Sequence, residues 1–276
     1  MYLKFVLIAL STLCSFLPDP AYANPKTLVF GIVPQESAGR LAEQWTPLMV
    51  HLSEVLGREV RFSTAPDIPT FEQRIREGRY DIAYMNPYHY VEFSRNPGYR
   101  AIAREGGKRI HGIVVVADNS GLRSLQDLEN KVLAFPAPAA FAATVLVRAE
   151  LERLGIVYTP RFVSSHESVY LNVARGLAVA GGGIERTFNS PLSSGIEGLR
   201  VLWRTQGYTP HAFAVHPNLS SSETLAVQRA LTTLGEHEHG RDLLSQASLG
   251  TLDAAANDDW DDVRALQLDF LTAEDQ

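Results

Sequence analysis

The sequence predicts an α/β protein with a largely parallel sheet. Short β-rich runs alternate with helical patterns along almost the whole chain, which is typical of strand–helix–strand units. Several runs are continuously apolar, such as GIVVVA at 112–117 and KVLAF at 131–135, as expected of strands buried on both faces. The composition, 45% hydrophobic and 20% charged over 276 residues, is that of a globular protein and excludes global disorder.

The individual elements follow from hydrophobic spacing and from the residues that interrupt it. Strands are predicted where a β-rich run ends at turn residues: Thr27–Val33, Glu59–Thr64, Asp81–Met85, Arg100–Ala103, Gly112–Ala117, Lys131–Phe135, Arg161–Ser164, Ala178–Ala180, Leu199–Trp203 and Ala212–Val215. Helices are predicted where apolar residues recur at helical spacing: Leu41–Leu56, Phe71–Glu77, Tyr88–Ser94, Ala140–Leu154, Ser168–Arg175 and Leu225–Leu234. Gly57 and Gly155 stop two of them. The acidic run DDWDD at 258–262 is expected to begin a solvated helix, because carboxylates favour a helix N-terminus.

Two similar blocks predict two lobes rather than one domain. Each block has a strand closed by proline, a loop and a long helix, and they begin at 29–34 and 132–136. In parallel α/β sheets, ligands bind beyond the carboxyl ends of strands, where helix N-termini point their amides. Two such ends facing each other form a cleft. The sequence therefore predicts a small-molecule site between two lobes.

The N-terminus reads as a secretory signal peptide, residues 1–23. A short basic start is followed by an apolar run, Phe5–Leu17, and by the small-x-small sequence Ala21-Tyr22-Ala23. The run is shorter than the roughly 20 apolar residues that span a bilayer. The single cysteine, Cys14, lies inside it, so the mature protein is expected to have no disulfide, thiol nucleophile or cysteine metal site. A secreted protein without disulfides fits the bacterial periplasm.

The net charge disfavours a nucleic acid as the binding partner. The formal charge of -6 argues against a protein that binds the nucleic-acid backbone, since such proteins concentrate Lys and Arg on one face. It does not exclude a small anion, because backbone amides and one or two side chains can hold one.

A series of ordered motifs resembles the PhnD-like phosphate-, phosphite- and phosphonate-binding periplasmic proteins of ABC transporters. The resemblance runs from about Leu28 to Leu231 and rests on the order and spacing of its motifs. They are FGIVPQES at 30–37 with Trp45-Thr46-Pro47-Leu48, GRYDIAYMNPYHYV at 78–91, SLQDLENKVLAF at 124–135, HESVYLNVARG at 166–176 and Tyr208-Thr209-Pro210.

This resemblance implies a type II periplasmic binding fold, with two α/β lobes joined by two crossover segments near Ala117 and Thr205. Lobe one is then expected over residues 24–116 and 206–276, and lobe two over 117–205. Such proteins bind their ligand by hinge closure.

Two departures from the family pattern bear on the ligand. The family's second anion-binding loop resembles Asp-Pro-x-Ser-x-Ser-Gly, but its Asp, Ser and Gly positions are here Ala137, Ala140, Ala142 and Ala143. Hydroxyl hydrogen bonds to a charged group contribute about 1.5–3 kcal/mol each, so tight binding of bare phosphate is not expected. A ligand with an apolar part that meets Phe141 suits this loop better. Family members usually have Asp where this chain has Val179, near Glu185.

The candidate ligand-binding residues follow predicted strands or begin predicted helices. Gln35 and Glu36 lie in the first strand-to-helix loop, and Glu36 hints at a cationic or zwitterionic ligand. Tyrosine and histidine join an apolar body to a hydrogen-bonding tip, which suits capture of a small ligand. The full predicted set is Gln35, Glu36, Asn86, Tyr88, Tyr90, Phe141, Ala142, Ala143, Thr144, His166 and Glu185. Packing of the helix is the alternative for Asn86, Tyr88 and Tyr90, and a capping or core role is the alternative for His166. Glu185 and its neighbour Arg186 follow the third strand of the second lobe, and for each the alternative to ligand binding is a surface ion pair.

No catalytic or metal motif emerges. His237 and His239 are two residues apart, so on a helix they do not share a face, and no Gly-x-Ser-x-Gly sequence occurs. We therefore expect a non-enzyme without cofactor or metal. It is expected to be a monomeric periplasmic protein that captures a small anionic or zwitterionic solute, of the phosphonate or phosphate class, for an ABC permease. The alternative is a sensory binding protein that docks on a membrane histidine kinase or cyclase.

Overall fold

The computed structural model describes residues 26–189, 196–266 and 268. The predicted signal peptide, with Cys14, lies outside the described residues. The first lobe is built on a six-stranded sheet in the order β2-β1-β3-β10-β4-β11, in which β1 is parallel to β2 and β3 while β10 is antiparallel to β3 and β4. Its strands are β1 (Leu28–Ile32), β2 (Val60–Ser63), β3 (Ile82–Met85), β4 (Arg100–Glu105), β10 (Ala212–Val215) and β11 (Leu252–Ala254).

The second lobe is built on a five-stranded sheet that repeats the same arrangement. Its order is β7-β6-β8-β5-β9, with β6 parallel to β7 and β8, and β5 antiparallel to β8 and β9. Each lobe therefore inserts one antiparallel strand, β10 or β5, into a parallel set, and the first sheet adds a second, β11, at its edge, antiparallel to β4. The strands are β5 (Gly112–Ala117), β6 (Lys131–Phe135), β7 (Tyr158–Phe162), β8 (Ala180–Ile184) and β9 (Leu199–Arg204).

Helices cover the faces of both sheets, and their side chains supply the cores. In the described residues the α-helices are α1 (Ala38–Leu56), α2 (Ile68–Arg76), α3 (Pro87–Arg95), α4 (Leu146–Arg153), α5 (His166–Ala174), α6 (Glu185–Phe188), α7 (Ser221–Thr232), α8 (Glu238–Gln246) and α9 (Asp261–Arg264). A π-helical turn, Phe141–Val145, leads into α4. Ser37, Asn86 and Ser165 cap α1, α3 and α5 through their side chains, which satisfies amides that a helix start leaves unpaired. None of the helices from 26 to 189 and from 196 to 266 is long and apolar enough to cross a bilayer.

Two crossover segments join the lobes, and they pair with each other. Ile110 and Tyr208 exchange both backbone hydrogen bonds, at 2.9 and 3.0 Å, and the amide of Thr205 donates to Gly112 O at 2.9 Å. The lobe boundary drawn from the sequence after residue 116 is wrong, because β5 pairs with β8 and β9 in the second sheet. An apolar run such as GIVVVA suits either sheet, so its residues alone do not choose between them.

The acidic run near the C-terminus braces the crossovers rather than lying free in solvent. Asp262 Oδ2 accepts hydrogen bonds from Thr209 N at 2.9 Å and from Arg109 Nη2 at 2.8 Å. The indole of Trp260 is fully buried, donates from Nε1 to Pro210 O at 2.9 Å and packs on Tyr90 at 4.5 Å between ring centroids. The expectation of a solvated helix at 258–262 is therefore wrong for the residues that point inward.

Candidate ligand-binding cleft

A cleft of about 1260 Å³ lies between the two lobes. Its first-lobe wall comes from the loop after β1, the end of β3 and the start of α2. Its second-lobe wall comes from the turn after β6, the start of α5 and the start of α6, and the crossover segments close its base. The cleft thus lies beyond the carboxyl ends of the parallel strands, where helix N-termini carry partial positive charge.

Arg186, at the start of α6, is the central cation of the cleft. Its guanidinium donates to Gln35 Oε1 across the cleft, and the other end of that amide, Nε2, lies 2.8 Å from His211 Nε2. Because the amide oxygen accepts from Arg186, its NH2 group faces His211, whose Nε2 must be the unprotonated acceptor. Tyr84 stacks on His211 with 5.0 Å between ring centroids. This chain of contacts joins the second lobe, the first lobe and a crossover segment.

Two histidines of the cleft are held neutral. Burial, and after it repulsion of the imidazolium by Arg186, lower the pKa of His166 to about 4. The same two causes, in the same order, hold the pKa of His211 well below its usual range. His166 is only 8% exposed, and among the described residues its Nδ1 has no hydrogen-bond partner. Both rings therefore enter the cleft as neutral hydrogen-bonding groups near pH 7.

The shifted pKa of His166 predicts acid sensitivity. Between its unfolded pKa of 6.5 and its folded value of about 4, the unfolded chain binds a proton that the folded chain does not. The stability is therefore fully present above pH 6.5 and is lost as pH falls toward 4. We expect the wild type to lose roughly 2–3 kcal/mol more than His166→Gln between pH 7.5 and pH 4, measured by urea unfolding. Parallel pH profiles for the two proteins would contradict this.

The alanine-rich turn after β6 packs against the first lobe. Ala140 and Ala143 form a buried apolar cluster with Ile68 at the start of α2. Asn86 Nδ2 donates to Ala139 O at 3.0 Å, and the Phe141 ring meets Tyr208 edge-on at 6.0 Å. Methyl groups, rather than hydroxyls, thus line this part of the cleft and touch the opposite lobe.

The sequence matches a known protein family over most of its length. A family model described as "ABC transporter, phosphonate, periplasmic substrate-binding protein" matches residues 30–260. The chain belongs to this family. The family consists of transporter substrate-binding proteins rather than enzymes, and it is periplasmic by description.

Two named relatives have similar sequences. The phosphate-import protein PhnD of Mycolicibacterium smegmatis is 26% identical over 195 residues, which are 62% of this chain and 60% of the relative. The phosphonates-binding periplasmic protein of Escherichia coli is 32% identical over 126 residues, which are 44% of this chain and 37% of the relative. The chain thus spans less than two thirds of the length of either relative.

A solved structure shows the same fold. PhnD1 from Prochlorococcus marinus, in complex with methylphosphonate, superposes with a TM-score of 0.80 at 18% identity, covering 88% of this chain and 97% of that one. The predicted two-lobed α/β periplasmic binding fold is confirmed.

Eight of the eleven ligand-binding residues predicted from the sequence line the cleft. Gln35, Glu36, Asn86, Phe141, Ala142, Ala143, His166 and Glu185 line it. The two carboxylates do not act as free charges, because Glu36 Oε2 lies 2.7 Å from Arg40 Nε and Glu185 Oε2 lies 2.9 Å from Arg204 Nη2. The hint of a cationic ligand drawn from Glu36 therefore loses its basis.

Three predicted site residues lie away from the cleft. The hydroxyl of Tyr90 donates to Asn257 Oδ1 at 3.0 Å and accepts from the amide of Ala101, so this side chain belongs to the first-lobe core. Tyr88 is buried, and burial raises its pKa to about 12. Thr144 is fully buried and donates to Ala137 O at 2.7 Å, which holds the turn. Both tyrosines point away from the cleft because their positions on α3, after Asn86, face the first-lobe core.

The cleft also contains residues outside the predicted set. Tyr84, the penultimate residue of β3, and His211, just before β10, both line it. Arg186, for which ligand binding and a surface ion pair were both open, lines it as well. Tyr84 lies inside the motif at 78–91 and His211 directly follows Tyr208-Thr209-Pro210, but nothing in either segment marks these two side chains as ligand contacts. The available signal was position alone, since each stands at the cleft end of a strand.

Proposed function

We propose that this protein is the solute-binding component of an ABC importer and captures a small anionic or zwitterionic solute of the phosphonate and phosphate class between its lobes. The observation that carries this is the Arg186 guanidinium, which faces the cleft beside two neutral histidines. Among the described residues, it has no carboxylate within ion-pair distance, and its contact is the neutral amide of Gln35. A guanidinium in a partly dry cleft is suited to an oxyanion, which it can bind through two hydrogen bonds.

The surrounding backbone supports an anion at the same place. The helices α1, α3 and α5 begin at the cleft, with caps at Ser37, Asn86 and Ser165. Their partial positive charges add to that of Arg186, and their effect grows in a closed cleft from which water is excluded. The described relatives are named for phosphate import and for phosphonate binding, which agrees with this ligand class.

The proposed function also includes a location in the periplasm and a membrane partner. Residues 1–23 direct the chain to the periplasm and are cleaved there, and the mature protein acts as a monomer that delivers its solute to a membrane permease. A sensory role, with docking on a histidine kinase or cyclase, is not favoured, because the matched family model describes a transporter component.

Calorimetric titration of the secreted protein, purified from the periplasm, tests the proposal. We expect one-to-one binding of at least one anion from a set of inorganic phosphate, methylphosphonate and small organic acids, and none of glucose. Deletion of the gene is expected to abolish uptake of the same radiolabelled anion by whole cells. Binding of none of these anions, or uptake unchanged by the deletion, would overturn the proposed function.

A further inference from the structure

The positive charges of the cleft are almost all neutralised by the protein itself. Besides Arg186, the lysine and arginine side chains that line it each lie within 2.7–2.9 Å of a carboxylate oxygen. These pairs are Arg40–Glu36, Lys108–Glu105, Arg109–Asp262 and Arg204–Glu185. Arg186 therefore offers one uncompensated positive charge to a ligand within the described part of the cleft.

The neighbours of Arg186 add no second charge. His166 and His211 face the guanidinium and remain uncharged near neutral pH, and Gln35 and Tyr84 are neutral groups on the same side. Glu43, Asp67 and Glu167 also line the cleft, without an ion-pair partner among the described residues. A second negative charge on the ligand would therefore lack a cationic side chain in the described cleft, and the unpaired carboxylates would disfavour it.

The wall beside the cation is apolar. Ala140, Phe141, Ala142 and Ala143 border the cleft with side chains that are buried against Ile68 and Tyr208, and Ile184 continues this border up to Glu185 and Arg186. Alkyl groups cannot replace the hydrogen bonds that a phosphoryl group loses when it leaves water, and an unpaired oxyanion oxygen is costly to bury. An apolar ligand body that enters beside this turn needs no hydrogen bonds from it and is stabilised by removal from water.

We propose that the ligand is a small organic monoanion, with one oxyanion group on Arg186 and an apolar body against the alanine-rich turn. This rests on the proposed function of solute capture; within its anionic ligands it favours monoanions, including the singly charged form of a phosphonate, over doubly charged phosphate. Sulfonates and carboxylates carry one charge at any pH near neutrality, whereas phosphonates pass from one charge to two. Arg186 is then the residue that selects charge state, and the turn selects the apolar body.

Paired probes separate charge from shape. Methanesulfonate and methylphosphonate have the same tetrahedral form, and benzenesulfonate adds an apolar ring. We expect calorimetry to give an affinity order of benzenesulfonate above methanesulfonate above inorganic phosphate. Across pH 6 to 9 the sulfonate affinities stay flat, while the methylphosphonate affinity falls as its second proton leaves. His166 and His211 stay neutral over this range. The difference between the methylphosphonate and methanesulfonate slopes therefore reports the ligand, since any other group that lines the cleft affects both probes alike.

Variants test the role of Arg186 directly. Arg186→Gln should weaken benzenesulfonate binding at least about tenfold, since a charged hydrogen-bonding partner is lost, and Arg186→Lys should weaken it less. Arg175→Gln is the control, because Arg175 is an exposed arginine of the same lobe that is not among the residues lining the cleft; its effect should stay within about threefold.

Two results would overturn this inference and remain distinct. If phosphate or methylphosphonate binds more tightly as it gains its second negative charge, the monoanion inference is wrong while solute capture stands. If none of the anions binds at any pH, the proposed function fails with it. Separately, equal losses in Arg186→Gln and Arg175→Gln would show that Arg186 does not select the ligand.

Discussion

Replacing Trp260 with alanine is expected to lower the free energy of unfolding by about 3–5 kcal/mol, the range found when a buried aromatic side chain is truncated in a core. The indole is fully buried, packs on Tyr90 and holds Pro210 O. Its loss leaves a cavity between the C-terminal segment and the second crossover. For a chain of this size, each kcal/mol shifts the midpoint by about 2–4 °C, so thermal unfolding followed by circular dichroism should show a fall of about 10 °C.

Two further variants serve as comparisons for Trp260→Ala: one separates packing from the hydrogen bond, and the other is a control at an exposed side chain. Trp260→Phe keeps most of the packing but leaves Pro210 O without its donor, so we expect a smaller loss of about 1–3 kcal/mol. Leu225→Ala, at a side chain that is 44% exposed, should change stability by no more than about 0.5 kcal/mol. A Trp260→Ala protein as stable as Leu225→Ala would show that the C-terminal segment does not brace the fold.

Gly182→Ala is expected to cost about 3 kcal/mol or more, at the upper end of what overpacking a core does. A Cβ at this position of β8 would lie 1.9 Å from Ala143 O and 2.8 Å from the Phe135 ring. The first of these is backbone, so it cannot move aside as a flexible side chain would. The alanine-rich turn must shift toward the cleft, and both the unfolding midpoint and the ligand affinity should fall.

Gly121→Ala is the matched control for that substitution. A Cβ there meets nothing within 4 Å, so the unfolding midpoint should stay within about 2 °C of the wild type. If Gly182→Ala behaves like Gly121→Ala, the close approach of β8 to the alanine-rich turn is not a constraint on the fold.

The run Gly181-Gly182-Gly183 also shows what sequence patterns miss. The predicted strand Ala178–Ala180 stops before this run, because glycine disfavours strands. The structure places it inside β8, where a Cβ on Gly181 or Gly183 would collide with Val169 or Tyr170 of α5. Tertiary packing selects glycine here, and no local propensity contains that information. Pro160 similarly obscured β7, an edge strand, where proline is tolerated.

The candidate site, like the fold, could be predicted from the sequence only in part. Gln35, Asn86 and His166 were found because they follow strands or begin helices, and strand ends locate clefts in α/β folds. The contacts of Arg186 with Gln35 and of Gln35 with His211 span 151 and 176 residues of sequence separation. Such contacts depend on how the lobes face each other, which spacing within one segment does not encode.

The bracing of the crossovers has a mechanical consequence. Asp262 and Trp260 fasten Arg109, Thr209 and Pro210 to the first lobe, so we expect both connecting strands to stay with that lobe during hinge closure. The bend is then expected on the second-lobe side, next to Gly112 and Thr205. His211 and Gln35 would stay with the first lobe while Arg186 and His166 move together, so the ligand-selecting charge would travel with the second lobe.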